Sequence, residues 1–476
     1  MIYPFLPDLL LLALAFLVLF LSLITSKNSS LPRWAASSGL IVIFTLLNLI
    51  PINHQIPFLF STWKIDAFGL FIREFLIFAA FLGISLSKNY FNSNHKTSKS
   101  MLQHPEFIAL ILFATLGGFV VVSASDLLTL FLGLELATIP LYALSAWNKK
   151  DILGSEAATK FILMGSVATA FELFGFSYLY GFSGSIFFTD IIAQSLSHTN
   201  SPLLWIAVLF LFAGIGFKLT LFPFHTWAPD VYEGSPTPVT AVLSVTSKGV
   251  AIAFMAILIY GPLKQVHLQI MPIIALLAGT TLVVGNLGAL KQHRLRRFMA
   301  YSSIAQAGYL LLALLGPASL AKPAIVYYLL VYTAANFTVF FIISVVERTR
   351  SASFNSLRGL SAENPFLAIS LAIALFSLAG IPPLAGFLGK FQLFLNVAHA
   401  KYYGFLVFAV LNNVIALYYY IQVLKSAWVD PQDSKSPKLQ ILKTEKAWIA
   451  LLSVFTLVAG LLPIINDNIF KILQSF

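Results

Sequence analysis

Apolar stretches follow one another from one end of this chain to the other, separated by short polar turns. A run of about 20 apolar residues matches the hydrocarbon thickness of a bilayer. The pattern predicts fourteen spans, at about 6–25, 34–51, 67–86, 106–124, 127–146, 155–181, 203–222, 239–260, 271–290, 298–315, 323–346, 366–394, 402–425 and 447–466. The division between the fourth and fifth is the least marked, at Ser123-Ala124-Ser125-Asp126. No polar stretch exceeds roughly 25 residues, well below the ~50 of a small soluble domain. The alternation over ~10 residues that barrel strands need is missing. The fold class is therefore an all-α polytopic membrane protein. The first segment, MIYPFLPDLLLLALAFLVLF, lacks a basic leader and a small-residue cleavage site, so it is expected to be a retained first span.

Charge gives the spans a direction. The chain has 476 residues, 59% hydrophobic and 10% charged, with a net charge of +11. Nineteen lysines and arginines fall in the odd-numbered loops: Lys27, Arg33, Lys88, Lys96, Lys99, Lys149, Lys150, Lys291, Arg294, Arg296, Arg297, Arg348, Arg350, Arg358, Lys425, Lys435, Lys438, Lys443 and Lys446. Only Lys64, Lys264, Lys322 and Lys401 fall in the even-numbered loops, and Lys471 lies in the C-terminal tail. The positive-inside rule then puts odd loops in the cytoplasm and both termini outside. The basic excess is explained by topology, so no nucleic-acid partner is implied. The basic loop 426–446 reads as solvated, with lipid head groups or a cytoplasmic-side partner as the alternative.

Five basic residues remain inside spans: Arg73, Lys160, Lys218, Lys248 and Lys390. Glu74, Glu135 and Glu172 are also within spans, with Glu156 at an edge. An ionisable group there costs about 2.5–3.5 kcal/mol on insertion scales. Snorkelling to the interface is one explanation; it competes for Lys160 near a span start and for Lys218 and Lys390 near span ends. It does not serve Lys248 or Glu135, which are near mid-span. Arg73 and Glu74 read as structural, satisfying each other or facing a partner subunit. The other explanation is a proton path, because relays of ionisable residues at mid-membrane are a mark of pumps and transporters. The chain has no cysteine, which excludes iron–sulfur ligation by its own thiolates. Its eight histidines form no matched pairs in facing spans, so no cofactor or metal is expected in this chain.

The stretch GFKLTLFPFHTWAPD (216–230) joins these threads. Pro223 removes a backbone donor and clashes with the preceding turn, so it should break or kink the seventh span. Broken helices are tolerated where they line a cavity and mark binding sites in transporters. His225 follows the break and is suited to passing protons near neutrality; a histidine simply hydrogen-bonded at a loop end is the alternative. The twelfth span, LFSLAGIPPLAGFLGKFQLF, has Pro382 and Pro383 as its break and then Lys390. Both spans carry A-G-I followed by K-x-x-L-F, with spacings that differ by six residues. The two spans run in opposite directions, which predicts inverted five-helix repeats, spans 4–8 and 9–13. The expected organisation is 1–105, spans 1–3; 106–260, first repeat; 261–425, second repeat; and 426–476, a basic loop with the final span.

Three motifs resemble a known family. FPFHTWAPDVYEGSPTPVTAVLSVTSK (222–248), GNLGALKQHRLRRFMAYSSIAQAGYL (285–310) and LAGIPPLAGFLGKF (378–391) resemble the subunit N family of respiratory complex I, the proton-translocating NADH:quinone oxidoreductase. The likeness spans essentially the whole chain. The wording D-V-Y-E-G-x-P-T-P-V-T is more specific than the core shared with the antiporter-like subunits L and M and with Mrp-type antiporters, which usually read D-A-H-x-E-A-P-T. By this resemblance Glu135 matches the fifth-span glutamate, Lys218 its seventh-span lysine partner, Lys248 the central lysine and Lys390 the twelfth-span lysine. Lys160 is similar to a sixth-span lysine, and His225 lies in the break motif. Glu172 has no place in the family pattern. The resemblance implies a pumping module without a redox centre, in a bacterial inner membrane. NADH, FMN, iron–sulfur clusters and quinone are expected in partner subunits, membrane and peripheral. A stand-alone Mrp-type cation/proton antiporter is the competing reading; a passive scaffold with vestigial lysines is a third.

Overall fold

The computed structural model describes residues 5–25, 29–50, 62–93, 105–148, 151–431 and 437–474. Of the loop cations that set the predicted orientation, Lys27, Lys96, Lys99, Lys149, Lys150 and Lys435 lie outside the described residues. So does residue 51, the last of the predicted second span.

The chain folds into helices α1 Leu6–Ile24, α2 Leu31–Leu47, α3 Ala67–Ser93, α4 Pro105–Ser123, α5 Leu127–Ser145, α6 Ile152–Ser183 and α7 Phe188–Ser197. There follow α8 Pro202–Lys218, α9 Trp227–Gly234, α10 Thr237–Val242, a π-helical turn Leu243–Ser247, α11 Lys248–Tyr260, α12 His267–Leu290 and α13 Leu295–Ala313. The remainder is α14 Ala318–Glu347, α15 Leu360–Glu363, α16 Pro365–Ala379, α17 Ala385–His399, α18 Tyr403–Trp428, α19 Lys443–Leu461 and α20 Ile464–Gln474. Local sequence sets many of the starts. Proline opens α4, α8 and α16, where its missing N–H is no loss. Asp126 and Asp151 cap α5 and α6 by accepting from Thr129 N at 2.9 Å and Leu153 N at 3.1 Å.

Among the described residues, ten helical segments are long and apolar enough to cross a membrane. The shorter apolar helices α2, α8 and α16 occupy the predicted second, seventh and twelfth spans, and α13 the tenth. The short or polar members have clear causes: two are half-helices, and α13 begins with Arg296 and Arg297. Four helices, α7, α9, α15 and α20, fall mainly outside the predicted spans, and α15 is a single turn. α7 and α20 are short and half polar, so they fail an apolar-run criterion, and α9 resumes the seventh span beyond its break.

Burial is uneven and tells which helices are central. The segments Thr237–Tyr260 and Ala318–Glu347 are each 94% buried over their most apolar window. α1, α6 and α19 are 33% buried and α18 28%. Their outward faces carry Phe16, Leu23, Leu163, Leu411 and Leu451, all more than half exposed, as a lipid-facing surface does. The π turn sits in one of these two most buried segments, immediately before Lys248; such turns frequently accompany functional sites.

Candidate functional site

The two breaks are built alike. α8 ends at Lys218 and α16 at Ala379, each closed by a residue of positive φ, Thr220 at 61° and Gly380 at 79°. Leu221 N donates to Gly216 O at 2.7 Å and Ile381 N to Phe376 O at 3.0 Å. Thr220 N donates to Phe217 O and Gly380 N to Ser377 O in the same way. These are the bond patterns of a helix terminated by a left-handed residue. The correspondence pairs Thr220 with Gly380, Leu221 with Ile381 and Pro223 with Pro383. It replaces the alignment suggested by the repeated letters. K-x-x-L-F begins before the first break and after the second, so Lys218 and Lys390 do not occupy matching positions.

Proline explains which carbonyls the breaks leave open. Pro223 has no N–H for Leu219 O, and Pro382 none for Leu378 O, the acceptors four residues back. Both carbonyls are taken by buried side chains. Lys248 Nζ lies 3.5 Å from Leu219 O, and Gln306 Nε2 lies 3.1 Å from Leu378 O. Helix α8 ends at Lys218, five residues before Pro223, and its C-terminal end faces Lys248. A cation is favoured there by the helix dipole.

Lys218 is almost fully buried and meets two carboxylates. Its Nζ is 2.7 Å from Glu135 Oε1 on α5 and 3.1 Å from Glu172 Oε2 on α6. Thr169, one turn before Glu172, donates to the same Glu135 oxygen at 3.0 Å. The sequence paired Lys218 with Glu135 and left Glu172 unplaced; the packing of α6 against α8 brings it in. Lys248 is held by Thr220 Oγ1 at 2.6 Å as well as by the Leu219 carbonyl. Ser247 Oγ reaches Lys218 O at 3.4 Å, which ties the lysine-bearing start of α11 to the end of α8.

A buried network of neutral groups continues from Lys248 toward Lys390. Ser244, one turn before Lys248, accepts from Asn336 Nδ2 at 2.6 Å on its hydroxyl and from Tyr332 on its carbonyl at 3.2 Å. Tyr332 meets Ser303 Oγ at 3.1 Å, which also meets Tyr232 at 3.2 Å. Tyr328, stacked against Tyr332, donates to Gln306 Oε1. Gln306 in turn donates to Tyr420, which shares a hydrogen bond with Ser302 at 2.5 Å. On the far side Lys390 Nζ donates to Asn413 Oδ1 at 2.6 Å and lies 4.2 Å from the Tyr309 ring centre. No charge was legible between the two lysines, and the connecting hydroxyls looked like ordinary span residues.

Arg73 does not pair with Glu74: it binds Asp8 of α1 at 3.0 Å and Ser123 of α4. Neighbouring residues on a helix point about 100° apart, so Arg73 turns inward while Glu74 is part-exposed. Lys160 does not reach the Lys218 cluster. It pairs with Glu156 at 2.6 Å and Asp230 at 2.8 Å with 42% of its side chain exposed. Asp230 also binds Arg297, which binds Glu233, so Lys160 joins a network linking α6, α9 and α13. His225 lies between α8 and α9, part-exposed, against the Phe222 ring; Pro223 lies between the same two helices, and Pro382 and Pro383 between α16 and α17.

This architecture defines a class: antiporter-like membrane proteins with two broken helices. Residues 124–416 match the family described as NADH:quinone oxidoreductase/Mrp antiporter, TM, and the chain belongs to that family. It is 37% identical over 408 residues to NADH-quinone oxidoreductase subunit N of Moorella thermoacetica, covering 84% of this chain and 83% of that protein. It superposes on a chain of respiratory complex I from Thermus thermophilus with a TM-score of 0.81 and 30% identity, over 98% of this chain and 99% of that one. A chain of the Mrp complex from Dietzia sp. DQ12-45-1b has the same fold, with a TM-score of 0.85 at 18% identity over 98% of this chain and 96% of that one. Within the family the chain groups with subunit N.

Proposed function

We propose that this chain carries protons across the membrane along Glu135, Lys218, Lys248 and Lys390, as a subunit of a proton-translocating NADH-quinone oxidoreductase. Its family and its subunit N relatives make it a membrane subunit of such a complex. The observation that carries the relay is the line of buried ionisable groups joined through the first break. Lys218 meets Glu135, and Lys248 grips Leu219 and Thr220, the residues next along the chain. A change at Glu135 would alter the hold on Lys218 and shift its proton toward Lys248. Transfer onward to Lys390 would use the Ser, Tyr and Gln groups with water between them. Lys160, part-exposed and held by two carboxylates, would serve at the intake side, and His225 in the break region.

Residues 106–260 and 261–425 would form two inverted halves, each contributing one broken helix to a fourteen-span bundle. Odd loops would face the cytoplasm, with both termini outside a bacterial inner membrane. NADH, FMN, iron–sulfur clusters and quinone would belong to partner subunits, and their chemistry would drive the relay from a distance. The test is a mild-detergent pull-down of the tagged chain from its native membrane, with partners identified by mass spectrometry. Recovery with many membrane and peripheral redox subunits is expected. Recovery alone, or with a few small membrane proteins, would point to a stand-alone cation/proton antiporter.

A further inference from the structure

Among the described residues, Glu172 is a buried acid beside Lys218 to which the proposed proton path gives no part. Its side chain is fully buried. Oε2 is 3.1 Å from Lys218 Nζ, yet neither carboxyl oxygen makes an aligned hydrogen bond with a protein group. The Lys218 ammonium is aligned on Glu135 instead, at 2.7 Å, where Thr169 also donates. Space for Glu172 is made across the helix pair. A Cβ on Gly214 of α8 would collide with Glu172 Cγ and with Ala168 O. Position 214 therefore has room for the glutamate only as glycine.

Charge counting gives this carboxyl a role. Two carboxylates and one ammonium leave the cluster with one net negative charge. An unpaired charge with no hydrogen-bond donors is strongly disfavoured in a dry site. With one more proton the cluster is neutral, and the carboxyl that lacks donors is the one to hold it.

We propose that Glu172 is a proton reservoir for Lys218, a second proton-binding carboxyl that reloads the lysine after it has passed its proton on. The inference rests on the relay reading of Lys218. In the reload step the O–H bond of the Glu172 carboxylic acid breaks and an N–H bond forms on Lys218 from the nitrogen lone pair. Neutral acid and neutral amine become carboxylate and ammonium across the 3.1 Å contact. Glu172 then takes its next proton from the intake side, and no electron transfer or co-reactant is involved.

The test uses the assembled complex in native membrane vesicles, with Glu172→Gln, Glu172→Asp and Lys218→Ala, and partner recovery as the assembly control. Two quantities are read: the rate of proton pumping, and the deuterium-sensitive carbonyl stretch of a protonated carboxylic acid by infrared spectroscopy. The expected result is that E172Q assembles, loses that band and pumps on the order of tenfold more slowly, a smaller loss than the roughly 10²–10⁴-fold that a positioned proton-transfer group contributes. E172D keeps the acid, the band and most of the pumping. If E172Q does not assemble, E172D decides: full pumping without the band overturns the proposal. An E172Q complex with wild-type pumping and an unchanged band also overturns it, while a disabled K218A leaves the relay standing. Wild-type pumping in K218A overturns the relay reading itself.

Discussion

Lys248 Nζ donates to Thr220 Oγ1 at 2.6 Å, and Thr220 is held at a φ of 61°. A β-branched residue is a genuine outlier in that region. The matching position of the second break is Gly380 at 79°, where a Cβ would meet the Lys390 side chain at 2.9 Å. The strain in the first break therefore accompanies a hydroxyl placed against a buried ammonium. Such outliers concentrate at functional sites.

Thr220→Gly separates the two effects. The variant relieves the left-handed backbone and removes the hydroxyl. Thermal unfolding of the purified complex is expected to show no loss of stability, while proton pumping by vesicles falls several-fold. A hydrogen bond to a charged group is worth about 1.5–3 kcal/mol, enough for such a change. Pumping equal to wild type would remove the hydroxyl from the account.

Lys218→Ala leaves the fully buried Glu172 and the part-exposed Glu135 without their cation. Breaking a buried pair costs about 3–5 kcal/mol, so reduced assembly and lost pumping are expected together. Lys218→Arg keeps the charge but resists deprotonation. It is expected to assemble normally and pump weakly, above the alanine variant. Quantified complex recovery beside vesicle acidification checks both; full activity in both variants would take Lys218 out of the path.

Gln306→Leu and Tyr328→Phe cut the neutral segment between Lys248 and Lys390. Gln306 takes the Leu378 carbonyl that Pro382 leaves open, so its loss also strands a buried acceptor at a cost of about 1–3 kcal/mol. The leucine variant is expected to be less stable as well as slower. Y328F strands a buried acceptor as well, Gln306 Oε1, and should slow pumping with a stability loss of about 1–3 kcal/mol. Tight coupling and wild-type rates in both would mean that protons travel by another route.

Lys160→Ala is expected to be mild. Its side chain is 42% exposed, where solvent screening leaves an ion pair little net stabilisation. Pumping within a few-fold of wild type fits a role at the intake side. A loss as deep as that of a buried-lysine variant would place Lys160 in the central line instead.

Much of this was legible in the letters, because each feature depended on local sequence. Apolar run length located the helices, and prolines located the breaks. Lys218, Lys248 and Lys390 stood out because charge inside a span is rare. The features that were hidden depend on pairs of helices. Glu172 joins Lys218 only because Gly214 lets α6 and α8 approach. Asp8 found Arg73 across 65 positions of sequence, while the adjacent Glu74 looked the more natural partner. The repeated K-x-x-L-F was a coincidence of letters, and the true equivalence of Thr220 with Gly380 lay in backbone dihedrals. α7 and α20 escaped because short amphipathic helices resemble polar loops when apolar length is the criterion.

The central claim is that Lys248 passes the proton from the first half of the chain to the second. The most direct measurement is the proton-to-electron ratio of a Lys248→Ala complex, reconstituted or in native vesicles, after its assembly has been verified. The ratio and the coupled rate of quinone reduction are expected to fall together, the rate by on the order of a hundredfold as for removal of a positioned proton-transfer group. A ratio and rate near wild type in a fully assembled K248A complex would contradict the relay.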